Sequence, residues 1–467
     1  MSRPSICSGP IRRRSFLQAG SAAFAALAAT GNQALAKAIE TQAAPDTAVI
    51  FLWLPGGPPH MDTYDMKPEL SAEYRGEFRP IQTNVPGIDI CELFPKQAKI
   101  ADKFTLIRSI AHKFADHGGG HKRFMTARDP KQPDGFVNDT PAVPSMIAKM
   151  REHYSLGLPN YIMAADGGRT GIDVFSFGTA YLGPSYGPFT LGGDPSANNF
   201  RVENIALDNK MEDRLNDRRS LLAGFDKLRR EVDRTGAMNA FDKFNGKAVE
   251  LLLSEQARKA FDLSQESDET KEKYGKHGWG YRCLLARRLV EAGSSFVTMV
   301  LENPFISGVP QLKAGVYNWD SHAVNCHIFE DARVRFPIYD QAIAALIEDL
   351  YARGLDKKVL LVVTGEFGRT PRIENSIGTQ TGVMQPGRDH WPNAQSILVS
   401  GGGMRMGQVI GSTNSKGEVP ADRPMTPNDL WATILKHLRI DQNHNFLDHN
   451  GRPMPILPDG EVIRELV

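Results

Sequence analysis

Val359-Leu-Leu-Val-Val-Thr-Gly-Glu-Phe-Gly-Arg-Thr-Pro371, followed after a polar loop by Gly387-Arg-Asp-His-Trp-Pro392, decides the fold class. A run of β-branched and Leu residues without polar alternation is the pattern of a strand buried on both faces, as in parallel sheets covered by helices. Its abrupt end at Thr364-Gly365-Glu366 delivers Glu366 and Arg369 to the carboxyl end of that strand, where α/β sheets hold their ligands. Chemistry is expected at this edge.

Working outward, Thr47 to Leu54 is a second apolar run, and it stops at Pro55-Gly-Gly-Pro-Pro-His60 as a buried strand does before a ligand-facing loop. Residues 104–110, 294–301 and 395–400 supply three more strands. Ile328 to Arg353 has a helical pattern, with Gly354 placed as its C-cap. Strands alternating with helices predict one α/β domain over residues 37–467, a three-layer α/β/α sandwich with a mainly parallel central sheet. From Asn204 to about Arg288 the composition shifts to charged helix formers, and no Pro/Gly/Ser-rich linker sets the segment apart. It reads as a helical insertion at about 204–288, its charges forming a solvated face.

With 467 residues, 41% hydrophobic and 23% charged, the chain can bury a large core. Lys+Arg 55 against Asp+Glu 54 leaves a formal charge of +1, which argues against a protein that coats nucleic acid. Near the N-terminus, Arg12-Arg13-Arg14-Ser15-Phe16-Leu17 precedes a stretch of small apolar residues and the cleavage pattern Ala34-Leu35-Ala36. Paired arginines before x-Phe-Leu resemble the signal read by the twin-arginine translocation machinery, which exports folded proteins. An ordinary secretory signal is the alternative reading of the same residues. Either way residues 1–36 are expected to be a signal peptide, and the mature chain, starting near Lys37, to be periplasmic or extracellular. No later stretch is apolar for long enough to span a membrane. Cys91, Cys283 and Cys326 lack Cys-x-x-Cys spacing, so neither a disulfide framework nor a thiolate metal site is indicated.

Four separated loops carry metal-ligand types: His60-Met-Asp62, His117-Gly-Gly-Gly-His121, Asp320-Ser-His322 and Asp389-His390, with Glu366 from the central strand as a fifth contributor. Imidazole plus carboxylate without thiolate suits Zn²⁺, with Mn²⁺ or Fe²⁺ as alternatives. Any one pair is also what a surface His or a capping Asp would give. Their joint placement after predicted strands is what points to one metal site. Arg369 and Arg388 flank two of these loops, and Lys113, Lys122 and Arg123 flank a third. Such cations either hold an oxyanion beside the metal or pair with nearby carboxylates. The glycine runs 118–120 and 401–403 match no nucleotide-binding pattern, and Ser176, Ser185 and Ser396 stand outside any Gly-x-Ser-x-Gly elbow.

Taken together, Leu54-Pro-Gly-Gly-Pro-Pro-His-Met-Asp-Thr-Tyr-Asp65, Asn318-Trp-Asp-Ser-His322, Gly365-Glu-Phe-Gly-Arg-Thr-Pro371 and Gly387-Arg-Asp-His-Trp-Pro392 resemble the exported family known as domain of unknown function 1501. More widely they are similar to the alkaline phosphatase and sulfatase superfamily. In the tail, Met425 to Leu435 with Asp448-His-Asn-Gly-Arg-Pro453 looks like the closing helix and Gly-Arg segment of sulfatases. The resemblance implies an alkaline phosphatase-like fold and metal-assisted hydrolysis of phosphate or sulfate esters. Three departures stand out. The superfamily's strand-end Asp-His pair falls on Glu366-Phe367, and its first strand's metal-binding Asp is absent from Leu54-Pro55-Gly56. Nine residues before Thr126 of Phe124-Met-Thr-Ala127, where sulfatases place a nucleophile, stands His117, and the Arg expected four residues later is His121.

The expected activity is hydrolysis of small-molecule or glycan esters, with Asp320, His322, Glu366 and His390 holding one or two divalent ions. His60, Asp62, His117, His121 and Asp389 are further candidate ligands. Arg369 and Arg388 are the candidate oxyanion binders, and His117 acts either as a ligand or as a nucleophile. The competing class is a non-catalytic protein that uses the same fold to bind a metal and an oxyanion.

Overall fold

Six consecutive apolar residues, Ala48–Trp53, require cover on both faces, and all six are buried. They form β1 of a central eight-stranded sheet, followed in the chain by β2 (Phe104–Ile110), β3 (Tyr161–Ala165), β4 (Phe189–Gly192), β5 (Phe296–Val300), β6 (Val359–Thr364), β7 (Gln395–Gly401) and β8 (Gln408–Ile410). The lateral order is β8-β2-β7-β6-β1-β5-β3-β4. All strands run in one direction except β7, which is antiparallel to both its neighbours. At the centre, Val49 sits in register between Leu360 and Phe296. The five expected strands lie in this one sheet, and β3, β4 and β8 join them.

The computed structural model describes residues 46–467 apart from 155–156, 198–199, 201–253, 304–311, 314 and 317. The expected signal peptide, the start near Lys37 and residues 204–253 of the expected insertion lie outside the described residues. Residues 46–467 make one compact unit. Glu255–Phe261 and Asp268–Tyr274 are helical.

Among the described residues, five helices of eight residues or more cover the sheet: α1 (His117–Thr126), α2 (Val143–Met150), α3 (Gly278–Glu291), α4 (Ile328–Ala352) and α5 (Pro427–His437). Alternate residues along each strand separate two cores. Ile50, Leu52, Leu361 and Val363 join Leu284 and Leu285 of α3 and Ile343 and Leu346 of α4. Val49, Phe51, Trp53, Leu360 and Val362 join Phe124 of α1, Met146 of α2 and Trp431 of α5. The result is the α/β/α sandwich. Phe51 stacks on Trp431 at 5.4 Å between ring centroids and on Trp53 at 5.8 Å. Such pairs add about 0.5–1.5 kcal/mol each beyond the area they bury. Helix α4 stops where the sequence places its cap, at Gly354 with φ +66°. There Gly354 N–H donates to Tyr351 O and Leu355 N–H to Leu350 O. No helix among the described residues is long and apolar enough to cross a membrane.

Candidate metal centre

The chemistry-bearing residues reach the carboxyl edge of the sheet because backbone comes unusually close there. A Cβ on Gly56, which holds φ +106°, would lie 2.4 Å from the Asp320 nitrogen, and one on Gly365 would lie 2.4 Å from Leu54 O. These glycines let the loops after β1 and β6 and the Asp320 loop share one space. Asp116 caps α1 by accepting from Gly119 N–H, which puts His117 in the first turn and His121 one turn on, on the same face. A Cβ on Gly120 would lie 2.9 Å from the Phe367 ring, so the glycine spacer also brings α1 down onto the strand-end loop. Trp319, buried and donating its indole N–H to Leu301 O at 3.0 Å, anchors the segment before Asp320. A two-residue antiparallel pairing sets His390 opposite Arg369.

Three imidazoles converge on one carboxylate oxygen. Asp320 Oδ1 lies 3.3 Å from His117 Nε2, 2.9 Å from His322 Nε2 and 3.1 Å from His390 Nε2, and Arg369 Nη2 donates to it at 2.7 Å. Behind each ring the other nitrogen meets an oxygen. His117 Nδ1 is 2.8 Å from Glu366 Oε1, His322 Nδ1 is 2.5 Å from Asp389 Oδ1, and His390 Nδ1 is 2.7 Å from Ala115 O. A carbonyl or a carboxylate only accepts, so each Nδ1 carries a hydrogen, and a ring that gives up the Nε2 hydrogen facing Asp320 turns a lone pair inward. Outer acceptors of this kind orient metal-binding histidines. His322 Nε2 and His390 Nε2 stand 2.9 Å apart, a separation that repels when both are lone pairs and that a shared cation relieves. His117, Asp320, His322 and His390 are each partly open to solvent.

Electrostatics set the charge of each group. Burial lowers the His390 pKa and outweighs its contact with Asp320, which keeps the ring neutral. Burial also works against protonation of His117, but hydrogen bonds to Asp320 and Glu366 overcome it and raise the pKa to about 10, so that an ion bound at Nε2 displaces a proton. Asp320 is pulled far below the ordinary carboxylate range, since the three imidazoles and the Arg369 charge outweigh its desolvation. Glu366, wholly buried, is likewise held at about 2 against desolvation by His121 and His117.

Among the described residues two trios place their ligand atoms within 4.8 Å of one another: His117, Asp320 and His390, and His117, His121 and Glu366. The first gains His322 through the contacts above. The second lies deeper, around the Glu366 carboxylate, which also accepts Gly56 N–H at 2.8 Å. The residues present therefore fit a divalent cation with nitrogen and oxygen ligands.

Five of the expected site residues stand outside the inward-facing donors. His60 is buried with Nε2 on Gly417 O at 2.8 Å, away from the cluster's donors. Asp62 makes a two-pronged pair with Arg388, each contact 2.8 Å, and both side chains are buried. Neither His60 nor Asp62 joins a trio, and Arg388, with its remaining hydrogens on Thr370, Pro371 and Tyr74 carbonyls, has no donor left for an oxyanion. Arg369 is wholly buried and gives its hydrogens to Gly56, Gly57, Trp319 and Arg388 carbonyls as well as to Asp320, so they are committed to the site's own oxygens. Asp389 touches His322 Nδ1 and stands behind the ring, not among the inward-facing donors. One positioning residue had no assigned role. His112 accepts Phe114 N–H on Nδ1, so its Nε2 donates to Glu366 O at 2.6 Å and fixes the strand-end turn. Burial lowers its pKa to about 4, keeping it neutral.

Fold and site together define an α/β protein with a histidine–carboxylate cluster at the carboxyl edge of a mainly parallel sheet. The chain belongs to the family described as Protein of unknown function (DUF1501), which matches residues 46–467. No curated protein matches the sequence. Among solved structures, Ps i-CgsB in complex with k-i-k-neocarrahexaose is 11% identical over 85% of this chain and 72% of that chain, with a TM-score of 0.36. The alkaline phosphatase from the Antarctic bacterium TAB5 is 12% identical over 86% and 100%, also at 0.36. The lipoteichoic acid synthase LtaP from Listeria monocytogenes is 9% identical over 85% and 73%, at 0.34. At these scores none of the likenesses bears on substrate, metal or mechanism.

Proposed function

We propose that the protein is an exported, metal-dependent hydrolase of phosphate or sulfate esters on small molecules or glycans. The observation that carries the metal is the convergence of His117, His322 and His390 Nε2 on Asp320 Oδ1, each ring turned by an acceptor on Nδ1. Zinc is the favoured ion for three imidazoles and a carboxylate, with manganese or iron as alternatives. A bound divalent ion would supply Lewis acidity, polarising the ester and making water a better nucleophile at neutral pH. The ester class rests on the resemblance of the four site motifs, and export rests on the Arg13-Arg14-Ser15-Phe16-Leu17 signal through the twin-arginine route.

In this reading Asp320 and the three imidazoles bind the ion, Arg369 fixes Asp320, and Asp389, Glu366 and the Ala115 carbonyl hold the rings in their ligating tautomers. His117 binds through Nε2 and does not attack, since both its nitrogens face carboxylates. A binding protein without catalysis is the second reading, favoured by the commitment of Arg369 and Arg388 to protein oxygens and by the absence of Ser, Thr or Cys at the start of α1. Metal analysis of the purified protein, followed by a panel of aryl and sugar phosphate and sulfate esters, separates them. Stoichiometric metal with turnover of an ester supports the hydrolase, metal without turnover supports the binding protein, and metal-free protein purified without chelators, unable to take up zinc, counts against both.

A further inference from the structure

The inner side of His117 holds groups that a single ion leaves unexplained. Glu366 Oε1 is fully used by Gly56 N–H and His117 Nδ1, yet Glu366 Oε2 is buried without a partner. His121, 3% exposed, has the same problem: Nδ1 has no partner and Nε2 lies 3.6 Å from Glu366 Oε1. A desolvated carboxylate oxygen and a desolvated imidazole are both electron-rich and both unsatisfied. His121 and Glu366 form a trio with His117, whose Nδ1 faces the Glu366 carboxylate, whereas its Nε2 faces Asp320, on which His322 and His390 also converge. One ring thus presents its two nitrogens to two separate donor sets.

We propose that His117 bridges two divalent cations, its Nε2 facing the ion held by Asp320, His322 and His390 and its Nδ1 facing a second ion held by His121 and Glu366. This rests on the metal reading above and extends it. A neutral imidazole has one N–H, so occupation of both nitrogens releases that proton to solvent and leaves an imidazolate, with no change of oxidation state. Gly56 N–H stays on Glu366 Oε1, and the second ion satisfies Oε2 and His121. The i, i+4 spacing puts His117 and His121 on one face of α1, and glycine at 120 lets that face close on Glu366 and Phe367. Two carboxylates and an imidazolate do not fully neutralise two divalent ions, which leaves the pair attractive to an oxyanion.

The test is titration of ion-free mature protein with Cu²⁺, reading ions bound per chain by metal analysis and the magnetic state by EPR. The expected result is two ions per chain, with an EPR signal below that of one isolated Cu²⁺ because the bridging ring couples their spins. Glu366→Gln and His121→Phe, each checked for folding by circular dichroism, are expected to bind one ion with a full, uncoupled signal. One ion per wild-type chain, or two with uncoupled signals, overturns the bridge and leaves the outer metal centre standing. No bound ion overturns the metal reading itself.

Discussion

Asp389 Oδ1 lies 2.5 Å from His322 Nδ1, on the opposite side of the ring from Asp320. The carboxylate is half exposed, so its effect on the fold is small, and it acts on the site only by fixing the tautomer and the plane of His322. Asp389→Asn is expected to fold normally and to bind zinc about 10–100-fold more weakly, as removal of such outer partners does. Competition with a chelator of known affinity measures this. An unchanged affinity would mean that packing alone orients the imidazole.

Asp62 and Arg388, 326 residues apart in the chain, make the opposite case. Both are buried, so removing the carboxylate leaves a desolvated guanidinium, a loss of about 3–5 kcal/mol. Asp62→Ala is therefore expected to lower denaturant stability by that amount while the folded protein keeps its full zinc content. Loss of zinc at unchanged stability would restore Asp62 as a ligand.

These two pairs mark how far the sequence could be read. Strands β1, β2, β5, β6 and β7 were legible because burial on both faces demands continuous apolar runs, and the carboxyl edge followed from their direction. Tyr161–Ala165 is a short buried apolar run whose last two residues are alanines of low strand propensity, and Phe189–Gly192 and Gln408–Ile410 are short edge strands with glycine or polar residues. The histidine and carboxylate loops were legible as metal-ligand types. The orientation of each ring was not, because it is set by partners such as the Ala115 carbonyl, which every residue type possesses. Nor could sequence separate Arg369 from a substrate-binding arginine, since its partners are backbone oxygens brought together by Gly56 and Gly57.

The glycines make a graded prediction. A Cβ at Gly56 would press on the Asp320 backbone at 2.4 Å from a positive φ, and neither constraint can relax locally. At Gly120 the nearest atom belongs to the Phe367 ring at 2.9 Å, which can tilt. Gly56→Ala is expected to destabilise by more than the ~1–3 kcal/mol of a strained or overpacked site and to lose zinc. Gly120→Ala should fall within that range. Equal losses of stability for the two variants would show that the Asp320 loop shifts freely.

Asp340 on α4 gives the fold a pH dependence remote from the histidines. Its carboxylate accepts Lys96 N–H at 2.9 Å and Gln97 N–H at 2.8 Å, but burial outweighs these bonds and raises its pKa from 3.8 to about 6. Folding then favours the protonated form. The contribution is fully present below pH 3.8 and is lost as pH rises through about 6, a swing of about 3 kcal/mol. Relative to Asp340→Asn, which does not titrate, the wild type should lose that much stability between about pH 4 and about pH 7 in urea titrations. A flat difference would place the native pKa near 3.8.

His117 carries the sharpest prediction, because it stands where sulfatase-like sequences place a nucleophile, yet neither of its nitrogens is free. Nδ1 is 2.8 Å from Glu366 Oε1 and Nε2 is 3.3 Å from Asp320 Oδ1. A nucleophile needs a lone pair aimed at the ester, whereas a ligand needs one aimed at the place where other donors converge, and the second describes this ring. His117→Ala is expected to lower zinc affinity by more than the ~10–100-fold of an outer-partner loss and to lower any ester hydrolysis with it. No phosphoenzyme should be trapped when the wild-type reaction is quenched without acid. A His117→Ala protein that keeps full zinc content but loses all turnover, with a labelled phosphohistidine in the wild type, would make the ring the attacking group and move the ion's ligands to Asp320, His322 and His390 alone.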